Sequence, residues 1–497
     1  MSEAKLSLCM IIRDEAAHLP GFLASVAGLW DELVVADTGS TDGSPDLVRA
    51  AGGTIVEFPW CDDFAAARNA SVAAAGGRWI LFLDADERID AELTGAIRRL
   101  VEGDPRAGAA TVVMRNALAD GGRTEARLLR LFLNSPAIRF RHRVHEDVAD
   151  DVAAFLARER LELRDLPGGV DHLGYARAEA TSRNKKDRDL RLLRLALVDD
   201  PRDLYCRFKL LELARFWNDR DLASCEVEAA RRAFEAAPVA TLAGRAWADE
   251  CAALIAQYMP VAAEDAVAWL DGQAARMAAG PAWLLRRGTL AEGCGRLDEA
   301  AHDYEESLRL ATTDRGMSAS PAATRALLGL CRVAVLRRDL AEAGRLAVRA
   351  VEGAPDDAEA LLAVANFTPP AEAAAFLARH ARRGAGTAAA TARALLTSGR
   401  PELALAVLGE QRDDPRCALG AVVVALVTGN GVDVSLDLDQ ATADAELSTW
   451  LEVLWNAPRA GLRDAFVERA GALAEAFPWV PAWVAARQPA AVSPSPR

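Results

Sequence analysis

Residues 79–87 read WILFLDADE, an apolar strand that runs directly into two carboxylates one residue apart. Strand alternation would put Asp84 and Asp86 on one side at the strand's carboxyl end, the edge at which open α/β sheets bind ligands. Hard oxygen ligands in that place suit Mg²⁺ or Mn²⁺, and a hard dication suits a diphosphate. An isolated pair of this kind can equally solvate a turn. The flanking sequence therefore has to decide between the two.

Upstream, residues 6–12 (LSLCMII) form an apolar run that ends at Arg13, Asp14 and Glu15. Helical periodicity follows over 19–29, then a short strand over 32–36 closed by the loop DTGSTDGS at 37–44. Helix, strand, helix and strand then follow at 45–51, 54–58, 64–75 and 79–83. Four strands joined by helical crossovers predict a mostly parallel sheet. In the 37–44 loop, small residues and two glycines let the backbone approach a ligand closely, and Asp37 offers acceptors. Arg68 and Asn69 stand in an alanine-rich helix, where a guanidinium can be either a surface charge or a planar fork of donors for a base or phosphate.

LCMIIRDE, DELVVADTGSTDGS, FPWCDDFAAARNAS and WILFLDADE, in that order and spacing, resemble the donor-binding half of family 2 glycosyltransferases. The likeness is to the branch that includes lipopolysaccharide-core glucosyltransferases and some peptide glycosyltransferases, and it covers roughly residues 5–175. It implies a GT-A type nucleotide-binding sheet. It assigns Asp37 and Glu15 to the nucleoside of a UDP-sugar, Arg68 and Asn69 to the donor, Asp84 to the ribose or metal, and Asp86 to the metal. Glu87 is expected to support the pair rather than to bind the ion.

Two further runs, 127–133 (RLLRLFL) and 138–148 (IRFRHRVHEDV), interleave basic and apolar residues and read as strands. They end in His145, Glu146 and Asp147. Displacement at an anomeric carbon needs a base to take the acceptor's proton. Val144-His145-Glu146 is similar to the family's V-H-E signature, which makes Glu146 the expected base, with Asp147 the second choice. The segment Asp171-His172-Leu173-Gly174-Tyr175 is similar to the family's H-x-G-Y segment and makes His172 a candidate metal ligand. Arg130 is a lower-ranked candidate for the acceptor or the phosphates.

Beyond residue 176 the pattern becomes continuously helical. Residues 183–197 form a basic amphipathic helix with Leu190, Leu193 and Leu197 on one face. Leu284, Gly288, Ala300, Tyr304 and Leu308, then Leu327, Leu330, Ala343, Ala347, Ala350 and Pro355, are similar to the packing positions of tetratricopeptide repeats. Ala374 and Ala404 would continue the series, and residues 203–238 form an earlier related hairpin. The expected organisation is a catalytic domain over 1–176, a helical-repeat domain over 177–487 and a disordered tail over 488–497. The fold class is accordingly α/β plus all-α.

Net charge of −14 from 58 basic and 72 acidic residues argues against broad nucleic-acid binding. The eight cysteines show no C-x-x-C pair and read as reduced thiols. No signal-peptide pattern opens the sequence, and its longest apolar stretch, 418–428, is about half of the roughly twenty residues a membrane span needs. The expectation is a cytoplasmic protein without a transmembrane segment that can still visit a membrane surface. Its partners would be a nucleotide-sugar donor and a glycan, lipid-linked or peptide acceptor, with a protein partner or a second copy held by the repeats. The competing reading is an inactive scaffold that binds proteins through those repeats. Nucleotidyl transfer is disfavoured because no glycine-rich basic loop opens the chain.

Overall fold

The computed structural model describes residues 5–117, 123–172, 178–243, 245–313, 321–355, 357–430, 439–457 and 460–487. The Leu173-Gly174-Tyr175 part of the H-x-G-Y segment and the 488–497 tail lie outside them. The chain forms two compact units that divide between Ala279 and Gly280.

The first unit opens with β1 (Leu6–Ile12), α1 (Leu19–Ser25), β2 (Glu32–Asp37), α2 (Ser44–Ala50), β3 (Thr54–Glu57), α3 (Phe64–Ala74) and β4 (Trp79–Phe82). It continues with β5 (Glu87–Ile89), α4 (Ala91–Gly103), β6 (Ala107–Ala117), β7 (Arg123–Leu133), α5 (Ala149–Glu159) and β8 (Glu162–His172). These build one mixed eight-stranded sheet in the order β3-β2-β1-β4-β7-β6-β8-β5. The first four strands in that order are parallel, and β7 turns the sheet antiparallel.

Both faces of the parallel half are covered, which is why its strands read as unbroken apolar runs. Leu8, Met10 and Ile12 pack with Phe22 of α1 and Leu93 and Ile97 of α4 on one face. Cys9, Val34, Ile80 and Phe82 pack with Val72 of α3 and Val152 and Leu156 of α5 on the other. Parallel pairing sets Ile12 beside Asp37 and Cys9 beside Phe82, so the loops after β1, β2 and β4 leave the sheet at the same edge.

The run 138–148, expected as a strand, is an irregular loop with one isolated bridge between Arg141 and Asp147. His142 and His145 adopt left-handed backbone angles of 71° and 54°, which no strand accommodates.

Helices α6 (Ala178–Asp199), α7 (Leu204–Phe216), α8 (Arg220–Ala236), α9 (Val239–Leu242), α10 (Ala246–Tyr258) and α11 (Ala263–Gln273) complete this unit. Val144 of the loop is buried among Leu192 and Leu193 of α6 and Cys206, Leu210 and Leu213 of α7. The compact unit thus extends through these helices, past residue 176, where the sheet pattern gives way to helix. The basic face of α6 is partly paired, Arg191 with Asp62 and Lys186 with Asp219, both at 2.7 Å.

The second unit is helical throughout its described residues. It comprises α12 (Pro281–Gly293), α13 (Leu297–Thr313), α14 (Pro321–Leu336), α15 (Leu340–Gly353), α16 (Ala358–Phe367), α17 (Pro370–Ala381), α18 (Ala385–Thr397), α19 (Pro401–Leu408), α20 (Pro415–Thr428), α21 (Gln440–Trp455), α22 (Ala460–Arg469) and α23 (Val480–Arg487), with two short 3₁₀ turns. Ala300, Ala343 and Ala404 are fully buried at the same position of α13, α15 and α19. The equivalent residue of α17 is buried Ala373, a correction to Ala374, which is half-buried. A small residue on α14 likewise admits its neighbour α13 closely: a Cβ on Gly329 would come within 2.6 Å of the Tyr304 ring. No helix among the described residues is long and apolar enough to cross a membrane.

Candidate active site

The loops after β1 and β2 lock together through their own polar side chains. Asp14 accepts from the Thr41 amide at 2.7 Å, the Ala16 amide donates to Asp42 at 2.9 Å, and the Glu15 amide donates to the Ser44 hydroxyl at 2.8 Å. Gly39 and Gly43, at φ of 108° and 82°, supply the left-handed turns this loop requires. Asp37 is buried at the end of β2 and accepts from the Ser40 amide at 3.1 Å and its hydroxyl at 2.6 Å. Its carboxylate is therefore oriented by the loop itself.

β4 ends at Phe82, and Asp84 to Glu87 form a turn closed by the Glu87 amide donating to the Asp84 carbonyl at 3.1 Å. Strand alternation is therefore not what aims the two aspartates, and they have different partners. Asp84 accepts from Arg68 at 3.2 Å, whereas an Asp86 oxygen lies 3.1 Å from Nε2 of His172. Glu87 is buried, accepts from the Asp84 amide at 3.0 Å and pairs with Arg130 at 2.6 Å. Burial pushes its carboxyl up, and Arg130 opposes that shift. Arg130 thus braces the turn instead of standing free for a ligand. Arg88, which sequence reasoning passed over, donates to the carbonyls of Ala85, Glu87 and His18 and ties the turn to α1.

Arg68 lies nearly buried under the turn, its guanidinium 4.0 Å from the centre of the Phe82 ring. Its Nε donates to Glu146 at 2.5 Å and Nη1 to Asp84 at 3.2 Å. Burial disfavours its charge, but Asp84 and Glu146 outweigh that cost and raise its pKa further. Asn69, expected at the donor, serves the protein instead. Its amide donates to the Phe140 carbonyl and accepts from the Phe140 amide, both at 2.9 Å, and so pins the start of the Glu146 loop.

The far side of that loop is held by α7, where the Tyr205 hydroxyl donates to the His145 carbonyl at 3.0 Å. Asp147, the second choice of base, accepts from the amides of Val148 and Ala149 at 2.7 and 2.9 Å just ahead of α5. Asp147 is thus engaged at the start of α5, whereas Glu146 lies beside Arg68.

Acidic residues crowd the rim. Glu15 is pushed up to about 7, first by burial and then by Asp86, Asp84, Asp42 and Asp14. Burial works against the Asp86 carboxylate, but the hydrogen bond and charge of His172 hold it below its ordinary range. His172 is raised reciprocally, chiefly by its hydrogen bond to Asp86. Asp86 and His172 are each about a quarter exposed, offering one carboxylate oxygen and one ring nitrogen side by side. That donor set fits Mn²⁺ or Mg²⁺. Asp84, expected at the ribose or metal, is paired with Arg68.

Residues 7–161 match the family model for glycosyl transferase family 2. A TPR repeat-containing protein of Synechococcus elongatus is 42% identical over 210 residues, which are 42% of this chain and 51% of that protein. The SPbeta prophage-derived glycosyltransferase SunS of Bacillus subtilis is 25% identical over 200 residues, 39% of this chain and 45% of that protein. The mannosyltransferase PcManGT from Pyrobaculum calidifontis, solved with GDP-Man and Mn²⁺, matches 58% of this chain and 88% of its own at 19% identity. Its TM-score is 0.30. The chain spans about half the length of the first two relatives. Residues 7–161 are thus a family 2 glycosyltransferase domain, followed in this chain by a tetratricopeptide-like helical region.

Proposed function

We propose that this protein is an inverting, metal-dependent glycosyltransferase that moves a sugar from a nucleotide donor, a UDP-sugar, onto a hydroxyl or thiol of a glycan, lipid-linked or peptide acceptor. The observation that carries the reading is the cluster in which Arg68 holds Glu146, from the V-H-E loop, and Asp84, from the D-x-D turn. One guanidinium thereby joins the candidate base to the candidate donor site.

In this reading Asp37 and Glu15 line the nucleoside end of the crevice, where the interlocked loops meet. Asp86 and His172 would hold Mn²⁺ or Mg²⁺, and the ion when bound would offset the negative charge of the departing diphosphate. Glu146 takes the proton from the acceptor nucleophile. Its orientation is set from three sides: by Arg68, by Asn69 through Phe140, and by Tyr205 through His145. Attack from the side opposite the nucleotide inverts the anomeric centre in one displacement. The helical repeats would select the acceptor or a protein partner.

The test is to incubate the purified protein with a panel of nucleotide sugars and Mn²⁺ and to measure free nucleotide. Release from a UDP-sugar that is lost in both Asp86→Ala and Glu146→Gln supports the reading. Release that persists in those variants, or none from any donor in the presence of acceptor extracts, refutes it.

A further inference from the structure

Where the Glu146 loop meets α7, three side chains of metal-binding chemistry converge away from the D-x-D turn. They are His142 on the loop, Asp203 at the head of α7 and Cys206 in its first turn. Cys206 Sγ lies 3.1 Å and His142 Nδ1 3.8 Å from the same oxygen, Oδ2 of Asp203, and the three ligand atoms all fall within 4.8 Å of one another. Tetrahedral zinc bonds of about 2.0–2.3 Å require neighbouring ligand atoms roughly 3.3–3.7 Å apart, so small side-chain shifts would complete the geometry.

The division of labour at Asp203 favours a ligand role. Its Oδ1 caps α7 by accepting from the Cys206 amide at 3.0 Å, which leaves Oδ2 facing both the thiol and the imidazole. The imidazole is held in place on its other side, stacked on Tyr205 with ring centres 4.1 Å apart, on a backbone with φ of 71°. Cys206 is buried, whereas the His142 and Asp203 side chains are about a quarter exposed, so an ion can enter from their side.

The geometry points to a second metal site, His142-Asp203-Cys206, that takes a dication of borderline softness such as Zn²⁺. Imidazole, carboxylate and thiolate with an open fourth position for water suit that ion better than Mg²⁺. On binding, the Cys206 S–H bond breaks, its proton leaves to solvent and its sulfur forms the metal bond in place of the hydrogen bond to Asp203. The ion would clamp the Glu146 loop to α7, four residues from the candidate base.

Co²⁺ titration of the reduced full-length chain tests this, because only a cysteine ligand yields a near-ultraviolet sulfur-to-cobalt charge-transfer band. The Asp86 and His172 pair contains no sulfur and is silent in this readout, so the result is independent of the proposed reaction. The expected result is one equivalent of Co²⁺ bound with that band, displaced by Zn²⁺, and lost in both His142→Ala and Cys206→Ser. His142 is partly exposed, so its variant decides the matter even if Cys206→Ser fails to fold. No band in the unmodified protein, or a band that survives His142→Ala and so arises from exposed Cys61 or Cys225, would overturn the site.

Discussion

Replacing Arg68 by methionine keeps an unbranched side chain against Phe82 and Phe140 but removes the guanidinium that joins Glu146 to Asp84. The Glu146 side chain is 12% exposed and the Asp84 side chain 33% exposed, so the first pair is well shielded and the second partly wet. Removing one partner of a buried pair costs about 3–5 kcal/mol because the other charge is left uncompensated. With the Asp84 contribution discounted for solvent screening, the loss should lie near the lower end, about 3 kcal/mol. For a unit of this size that corresponds to a fall of roughly 5–10 °C in the melting temperature of the first unit. The assay is calorimetric melting of wild type, Arg68→Met, Glu146→Gln and the double variant. Neutralising Glu146 removes the stranded charge, so the double variant should recover about 1–2 kcal/mol relative to Arg68→Met. Nucleotide release should remain low in both. Arg68→Met melting within a degree of wild type, or a double variant less stable than Arg68→Met, would refute the idea that this ion-pair cluster holds the site together.

Other substitutions separate positioning from chemistry. Asn69→Ala should cost about 2 kcal/mol for two lost hydrogen bonds to Phe140 and should lower kcat by loosening the Glu146 loop, while KM for the donor changes little; a selective rise in donor KM would return Asn69 to the donor site. Asp147→Ala should leave kcat within a few-fold and lower stability by about 1 kcal/mol for the two lost amide hydrogen bonds, whereas Glu146→Gln should lower kcat by about 10²–10⁴-fold; the reverse ranking would exchange their roles. The pH response of the site follows from two raised groups. Glu15 titrates at about 7 in the folded chain against an ordinary 4.5, so between those values the folded state holds the extra proton and stability falls as pH rises. His172, also raised, is stabilised by Asp86 while protonated and loses that contribution as pH climbs through its folded value. A dication held by His172 has to displace its proton, so Mn²⁺ should raise the melting temperature more at pH 8 than at pH 6. An equal or larger increment at pH 6 would contradict this.

The parallel half of the sheet was legible because β1, β2 and β4 are buried on both faces and so read as continuous apolar runs. In the other half β7 was legible over 127–133, whereas β6 and β8 were not. β6 is rich in alanine, β8 carries proline and two glycines, and neither shows an alternation that marks a half-buried strand. The alternation in 138–148 misled for the opposite reason: its apolar residues are anchors of a loop, with Val144 seated against α6 and α7 and the backbone turning at His142 and His145. Residue types within the site were visible in the motifs, but their partners were not. Nothing local indicates that Arg68 reaches Glu146 across 78 positions, or that Asn69 serves Phe140 rather than a ligand. Asp147 did carry a signal, since an acidic residue ahead of ADDVAAFLARE suits the start of a helix. Among the repeats, abundant alanine blurs the register by one residue, and only burial distinguishes Ala373 from Ala374.

The central claim is that Asp86, with His172, supports a divalent cation through which a nucleotide diphosphate is held. Calorimetric titration of UDP into the wild-type protein and Asp86→Ala, each with and without Mn²⁺, tests it most directly. The account predicts UDP binding that requires Mn²⁺ in the wild type and disappears in the variant while its fold, followed by melting, survives. UDP binding of equal strength without Mn²⁺, or undiminished in Asp86→Ala, would contradict it.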